Sequence, residues 1–214
     1  GFIRNSVANK KYESCVGVES DLLTAIVAEI ELLLLNANFK IEVDDPFKNK
    51  RAFNQDKKYQ HIFSCFPLGL KGVFKQYNEE DNILPLTQKT SSDYHFINLT
   101  LKNLKRGGKA VVIIGEPALS SQRDIEMRKY LVENGLIEAI YTLPNNLFSN
   151  SAITMYIMIL SFNNKHIKMA DLSDYYLNIS KRKRVLDLDT IYLNQDKDLK
   201  SIEFSNLEKN DYIL

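Results

Sequence analysis

A chain of 214 residues with 44% hydrophobic and 26% charged side chains can bury its own core, and its balance is that of a globular protein rather than a disordered or fibrous one. Its formal net charge of +1 excludes binding to polyanions through overall charge, so any nucleic-acid contact has to come from a local basic patch. Two cysteines, Cys15 and Cys65, give neither a disulfide framework nor a zinc-ligand spacing; no apolar run reaches membrane-spanning length and the start lacks a signal-peptide pattern, which points to a reducing, cytoplasmic setting and no membrane partner.

The segment from Gly1 to Lys11 is mixed, and a start at Gly1 without Met is what a fragment or processed chain would have. Ser14 to Glu19 reads as a short strand ending in an acid. Ser20 or Asp21 then caps a helix to about Asn36, and the apolar run Leu32–Leu35 predicts that its end is buried. Phe39 to Val43 alternates like a strand and is broken by Asp44-Asp45-Pro46. A polar loop follows, then a third strand over Tyr59–Phe63. Pro67, Gly69 and Gly72 end that strand and open a loop of the kind that carries ligand chemistry in open α/β sheets.

Residues 71–92 are long, polar and aperiodic, and are expected to form a mobile loop that orders on binding. Asp93 is expected to cap a helix through Leu104 that Gly107-Gly108 close, before the buried strand Lys109–Ile114. Ser120 or Ser121 caps the next helix, which ends at Gly135. Strands follow over Ile137–Leu143 and Ile153–Phe162. Asn163-Asn164 predict a turn into Ile167–Ala170 and an antiparallel hairpin. Lys181-Arg182-Lys183-Arg184 form a basic run that reads first as a solvated loop. Strands alternating with helices until that last pair predict a three-layer α/β/α, Rossmann-like fold with a mostly parallel sheet and an antiparallel edge. The expected boundaries are a catalytic-type domain over 1–170 and an extension over 171–214 that packs on it or on a neighbour.

The local signals line up in one order. Gly17-Val18-Glu19 ends one strand in an acid, Asp45 ends the next, and the Cys65–Gly69 loop ends the third. Then come Asp93-Tyr94-His95-Phe96-Ile97, the run from Leu104 through Gly107-Gly108 to Ile113, Arg128-Lys129-Tyr130-Leu131 and Leu143-Pro144-Asn145-Asn146-Leu147-Phe148. This series resembles the catalytic domain of adenine-specific DNA methyltransferases, in particular the modification subunit of type I restriction-modification systems. The resemblance covers roughly residues 1 to 162, and Asn210-Asp211-Tyr212-Ile213-Leu214 is similar to a later family segment.

The resemblance implies an S-adenosylmethionine-dependent methyltransferase fold. It also implies transfer of a methyl group to the exocyclic amine of a flipped adenine in DNA. The partners it implies are DNA, a specificity subunit and the nuclease subunit of the complex. Glu19 would accept from the ribose hydroxyls of the cofactor, and Asp45, or its neighbour Asp44, from the cofactor's adenine amine. Gly1 would be the last remnant of a glycine-rich cofactor loop whose first strand is missing here. In the family the loop at Cys65–Gly69 reads Asn-Pro-Pro-Phe-Gly: the Asn accepts from the target amine and the aromatic ring stacks on the flipped base. Here Cys65 stands at the Asn, Phe66 at the first Pro and Leu68 at the aromatic, while Pro67 and Gly69 match; Gly115-Glu116-Pro117 likewise replaces a Pro-x-Gly turn. A thiol is only a weak acceptor. The alternatives are therefore a degenerate relative kept for DNA or protein binding, and a cytosine C5 enzyme using Cys65 as its nucleophile, which needs a Pro-Cys order that Cys65-Phe66-Pro67 does not provide.

Overall fold

The computed structural model describes residues 12, 14–49, 52–53, 58–71, 74, 80–148, 154–180, 183–194, 200–203, 207 and 212–214. The chain divides into two compact units, residues 1–59 and 60–214.

The first unit is a βαβ motif. Strand β1 (Cys15–Glu19) leads through helix α1 (Leu22–Leu34) to β2 (Phe39–Val43). The two strands pair in parallel, from Cys15 opposite Phe39 to Glu19 opposite Val43. Asp21 caps α1: its carboxylate accepts from the Thr24 amide at 2.8 Å and from the Thr24 hydroxyl at 2.7 Å. The helix buries Ala25 and Leu32. The expectation of a buried end is corrected: Leu33 and Leu34 are 66% and 82% exposed. A two-stranded sheet is wide enough to cover only one stripe of the helix, so the rest of the apolar run finds no cover among the described residues of this unit.

In the second unit, β3 (Tyr59–Ser64) is followed by α2 (Ser92–Asn103), β4 (Leu104–Gly115), the short α3 (Glu116–Ser120), a 3₁₀ turn over Gln122–Asp124 and α4 (Ile125–Glu133). Then come β5 (Ile137–Thr142), β6 (Met155–Leu160), β7 (His166–Asp171), β8 (Tyr176–Ser180), β9 (Lys183–Leu186), α5 (Leu188–Asn194) and β10 (Lys200–Glu203). Six strands form one sheet in the order β10-β7-β5-β6-β4-β3, and β8 and β9 form a separate pair. This is the mixed α/β class that the sequence predicts. β5 and β7 are parallel, β4 runs the same way, and β10 is an antiparallel edge strand.

The hairpin expected between β6 and β7 is not formed. β6 is inserted antiparallel between β4 and β5, and β5 separates it from β7. The Asn163-Asn164 turn docks on the α4–β5 turn instead: the Asn164 amide donates to the Gly135 carbonyl at 3.0 Å, and its side-chain amide does so at 2.9 Å. Gly135 has φ +60°, and a Cβ there would collide with the Asn164 backbone, so only glycine serves.

Gly107 and Gly108 do not cap α2 but lie inside β4, which begins at Leu104. A Cβ on Gly108 would meet the Gln60 carbonyl of β3, and the Gln60 side chain donates to the Gly107 carbonyl at 3.0 Å, so the glycines let two strands approach closely. Part of the expected mobile loop is also fixed. Leu84 and Leu86 are buried, and Asn98 of α2 accepts from the Ile83 and Leu84 amides at 2.9 and 3.0 Å. Among the described residues no helix is long and apolar enough to cross a membrane.

Candidate functional site

The residues singled out in the sequence fall at strand ends in both units. In the first unit, Glu19 closes β1 and Asp44-Asp45 follow β2. The parallel register sets these ends side by side, and the Asp44 amide donates to the Glu19 carbonyl at 3.1 Å. Glu19 Oε1 accepts from the Asp21 amide at 2.9 Å, which leaves Oε2 without a partner among the described residues. Asp45 Oδ1 accepts from the Phe47 amide at 2.9 Å, and Oδ2 lies 3.2 Å from the Lys48 ammonium. That pair is exposed, and such pairs contribute only about 0–1 kcal/mol, so Lys48 can swing aside at little cost. The result is two carboxylates with acceptor capacity at the carboxyl ends of adjacent parallel strands, suited to a ligand that presents hydroxyl and amine donors. Gly1 lies outside the described residues.

In the second unit the Cys65–Gly69 loop leaves β3 with its side chains alternating inward and outward. Phe66 is 6% exposed and stacks on Phe96 of α2, ring centroids 4.7 Å apart and planes 4° from parallel. Leu68 packs against the buried cluster Ile113, Leu143 and Met155, together with Leu147, Ile157 and Leu186. Cys65 and Pro67 face outward. Phe66 and Leu68 therefore both anchor the loop. Gly69, at φ +59°, turns the chain, and its amide donates to the Asp93 carboxylate at 3.2 Å.

The role of Asp93 was not visible in the sequence. It was expected to cap α2, but Ser91 is the N-cap, and Asp93 sits buried in the first turn with its carboxylate on the loop and on the Ser92 hydroxyl. A carboxylate near a helix start has a local explanation in the orphan amides there, and no spacing rule links it to a glycine 24 residues upstream. Gly115, the last residue of β4, faces Leu68: a Cβ there would lie 3.5 Å from the Leu68 side chain, an ordinary van der Waals contact.

Burial pushes the Cys65 thiol above its ordinary pKa. The sign matters: a raised pKa reduces the thiolate fraction at neutral pH, whereas a nucleophilic cysteine needs it lowered. In a Cys15→Ser background, Cys65 should be alkylated by iodoacetamide at pH 7.5 more slowly in the folded chain than in urea, with the folded rate climbing as pH rises toward 9. Mass spectrometry of quenched samples checks this, and a folded rate above the unfolded one would contradict it.

These observations meet known proteins as follows. The chain is 27% identical over 161 residues to the methylase subunit of the type I restriction enzyme MjaVII of Methanocaldococcus jannaschii, covering 69% of this chain and 27% of that protein. In fold it is similar to the type I restriction-modification methyltransferase subunit of Streptococcus thermophilus, with a TM-score of 0.83, 17% identity and 99% of this chain matched to 56% of that one. A Listeria monocytogenes protein assigned to the class I S-adenosylmethionine-dependent methyltransferases matches with a TM-score of 0.61 and 18% identity over 80% of this chain and 62% of its own. The chain thus spans about a quarter of the length of the archaeal subunit and about half that of the streptococcal one. The family model described as N-6 DNA methylase matches residues 2–213, and the chain belongs to that family.

Proposed function

We propose that this chain is a catalytic-type domain of a DNA adenine methyltransferase subunit of a type I restriction-modification system, built to bind S-adenosylmethionine and to receive a flipped adenine. The observation that carries this reading is the pair of strand-end carboxylates, Glu19 and Asp45, in a chain of the N-6 DNA methylase family. Their chemistry fits the cofactor's nucleoside half. Glu19 would accept from the two ribose hydroxyls and Asp45 from the adenine amine. The cofactor, when bound, supplies a methyl group made electrophilic by its sulfonium. In the second unit the Cys65–Gly69 loop would receive the target base, with the Cys65 side chain and its neighbouring carbonyl toward the exocyclic amine. Relatives that are themselves subunits support a specificity subunit and a nuclease subunit as partners.

A second reading rests on the loop itself. Cys65 is a weak acceptor, and Phe66 and Leu68 are committed to the core, so both contacts to the base are reduced. A module that binds cofactor and DNA with little transfer would have this loop.

Calorimetry with S-adenosylmethionine tests the first reading. Micromolar binding is expected, weakened about 10- to 100-fold by Glu19→Ala, since a hydrogen bond to a charged group contributes about 1.5–3 kcal/mol. Binding that ignores Glu19→Ala and Asp45→Ala, or no binding by the wild type, would refute the cofactor assignment.

A further inference from the structure

We propose that the β8–β9 ribbon is a nucleic-acid contact, with Lys183 and Arg184 set against the phosphate backbone beside the Cys65–Gly69 loop. This extends the reading above and rests on it. Among the described residues the two strands pair only with each other and form a sheet separate from the six-stranded one. An isolated hairpin is marginal in water, so its position depends on what holds it. It is held at several points along its length. The Arg184 amide donates to the Asn146 carbonyl at 3.1 Å, and the Asp187 amide to the Tyr175 carbonyl at 3.1 Å. Leu186 packs on the same Ile113, Leu143 and Met155 cluster that receives Leu68 of the loop and Leu147. The ribbon is thereby rooted at the wall of the candidate base site.

Its chemistry selects the partner. Residues 176–186 contain four cations and no carboxylate, in a chain whose net charge is only +1. The nearest following acid, Asp187, is occupied by the Thr190 amide and hydroxyl at 3.1 and 2.8 Å. The Arg184 guanidinium lies 3.8 Å over the Tyr176 ring, which holds it in place while its edge donors remain available for a phosphate. Lys183 is exposed. On the companion strand Leu177 and Ile179 are 52% and 61% exposed, so that side of the ribbon is largely open among the described residues. A two-stranded ribbon is also one of the two elements slim enough for a DNA major groove, about 12 Å wide.

The test is binding of a fluorescein-labelled DNA duplex to the full chain across a salt series, comparing wild type with Lys183→Gln/Arg184→Gln. Each phosphate contact contributes about 0.9 to the slope of log affinity against log salt, so the double variant should lower the slope by about 2 and bind about tenfold more weakly at about 100 mM salt. S-adenosylmethionine binding by the same variant should be unchanged. Arg184→Lys, which keeps the charge, should retain most of the slope even if the stack on Tyr176 is weakened, which separates lost charge from a collapsed ribbon. An unchanged slope in the double variant overturns the proposal and leaves the parent reading intact. Failure of the wild type to bind any duplex overturns both. Unchanged duplex affinity with loss of a protein partner would make the ribbon a protein contact and would also overturn the proposal.

Discussion

Replacing Arg128 with methionine is expected to remove about 3 kcal/mol of stability and lower the urea midpoint by roughly 1–2 M. Arg128 is fully buried on α4. Its Nε donates to the Tyr212 carbonyl at 2.8 Å and one terminal nitrogen to the Ser121 carbonyl at 2.7 Å. The guanidinium also faces Tyr94, whose phenol is pushed far up by burial while the Arg128 charge pulls it partly back. The Tyr94 hydroxyl in turn donates to the Ala118 carbonyl at 2.7 Å. One cation thus joins the end of the chain, the α3–α4 turn and the base of α2. Methionine fills a similar volume but removes both donors: the Tyr212 carbonyl loses its 2.8 Å hydrogen bond and the Ser121 carbonyl keeps the Asp124 amide at 3.2 Å, and a hydrogen bond to a charged group contributes about 1.5–3 kcal/mol. Lysine keeps the charge but lacks the planar fork, so Arg128→Lys should recover part of the loss and no more. Urea denaturation followed by circular dichroism decides it: a midpoint for Arg128→Met within about 0.3 M of wild type would show that neither hydrogen bond contributes net stability.

Much of this architecture was legible because the sequence states it twice. β1 and β2 read as short strands and each is closed by an acid, so the two elements and the placing of Glu19 and Asp45 at neighbouring strand ends were legible. The strand at 109–114 and the helix ending at Gly135 were legible for the same reason, a periodic run closed by a residue with a fixed backbone role. What was not legible depended on partners distant in sequence. An apolar run such as Met155–Leu160 looks the same whether it lies at an edge or between two strands, so the insertion of β6 beside β4 could not be inferred. Gly107-Gly108 suit a helix end and also a close approach of strands, and only the position of Gln60 decides between them. Matching residues to motif positions put Phe66 at the first Pro and Leu68 at the aromatic of the family loop. Their actual direction was set by Phe96 and by the Ile113, Leu143 and Met155 cluster, which no local pattern encodes.

That inward direction shapes the second prediction: Cys65→Asn is expected to raise methyl transfer to adenine about 100-fold. A single preorganised polar group at a reacting centre contributes about 10²–10³ in rate. The loop is anchored by contacts that do not involve Cys65: Phe66 on Phe96, Leu68 in its cluster and the Gly69 amide on Asp93. The substitution therefore changes the acceptor without having to rebuild the loop. Cys65 is exposed as a residue although its thiol is partly shielded, so the larger amide has solvent on one side to extend into. An amide oxygen accepts two hydrogen bonds strongly where a thiol accepts weakly, and the developing charge on the target amine is what such an acceptor would stabilise. Restoring the aromatic with Leu68→Phe is the poorer first step, because a larger ring in the cluster overpacks it at a cost of about 1–3 kcal/mol. The measurement is transfer of tritiated methyl from S-adenosylmethionine to duplex DNA at saturating cofactor, with cofactor affinity followed by calorimetry in the same samples. A rise in rate with cofactor affinity unchanged places the target amine at residue 65. Undiminished cofactor and DNA binding with no transfer by either protein would establish the binding-only reading, and would mean that the loop no longer presents a base to the methyl group whatever acceptor it carries.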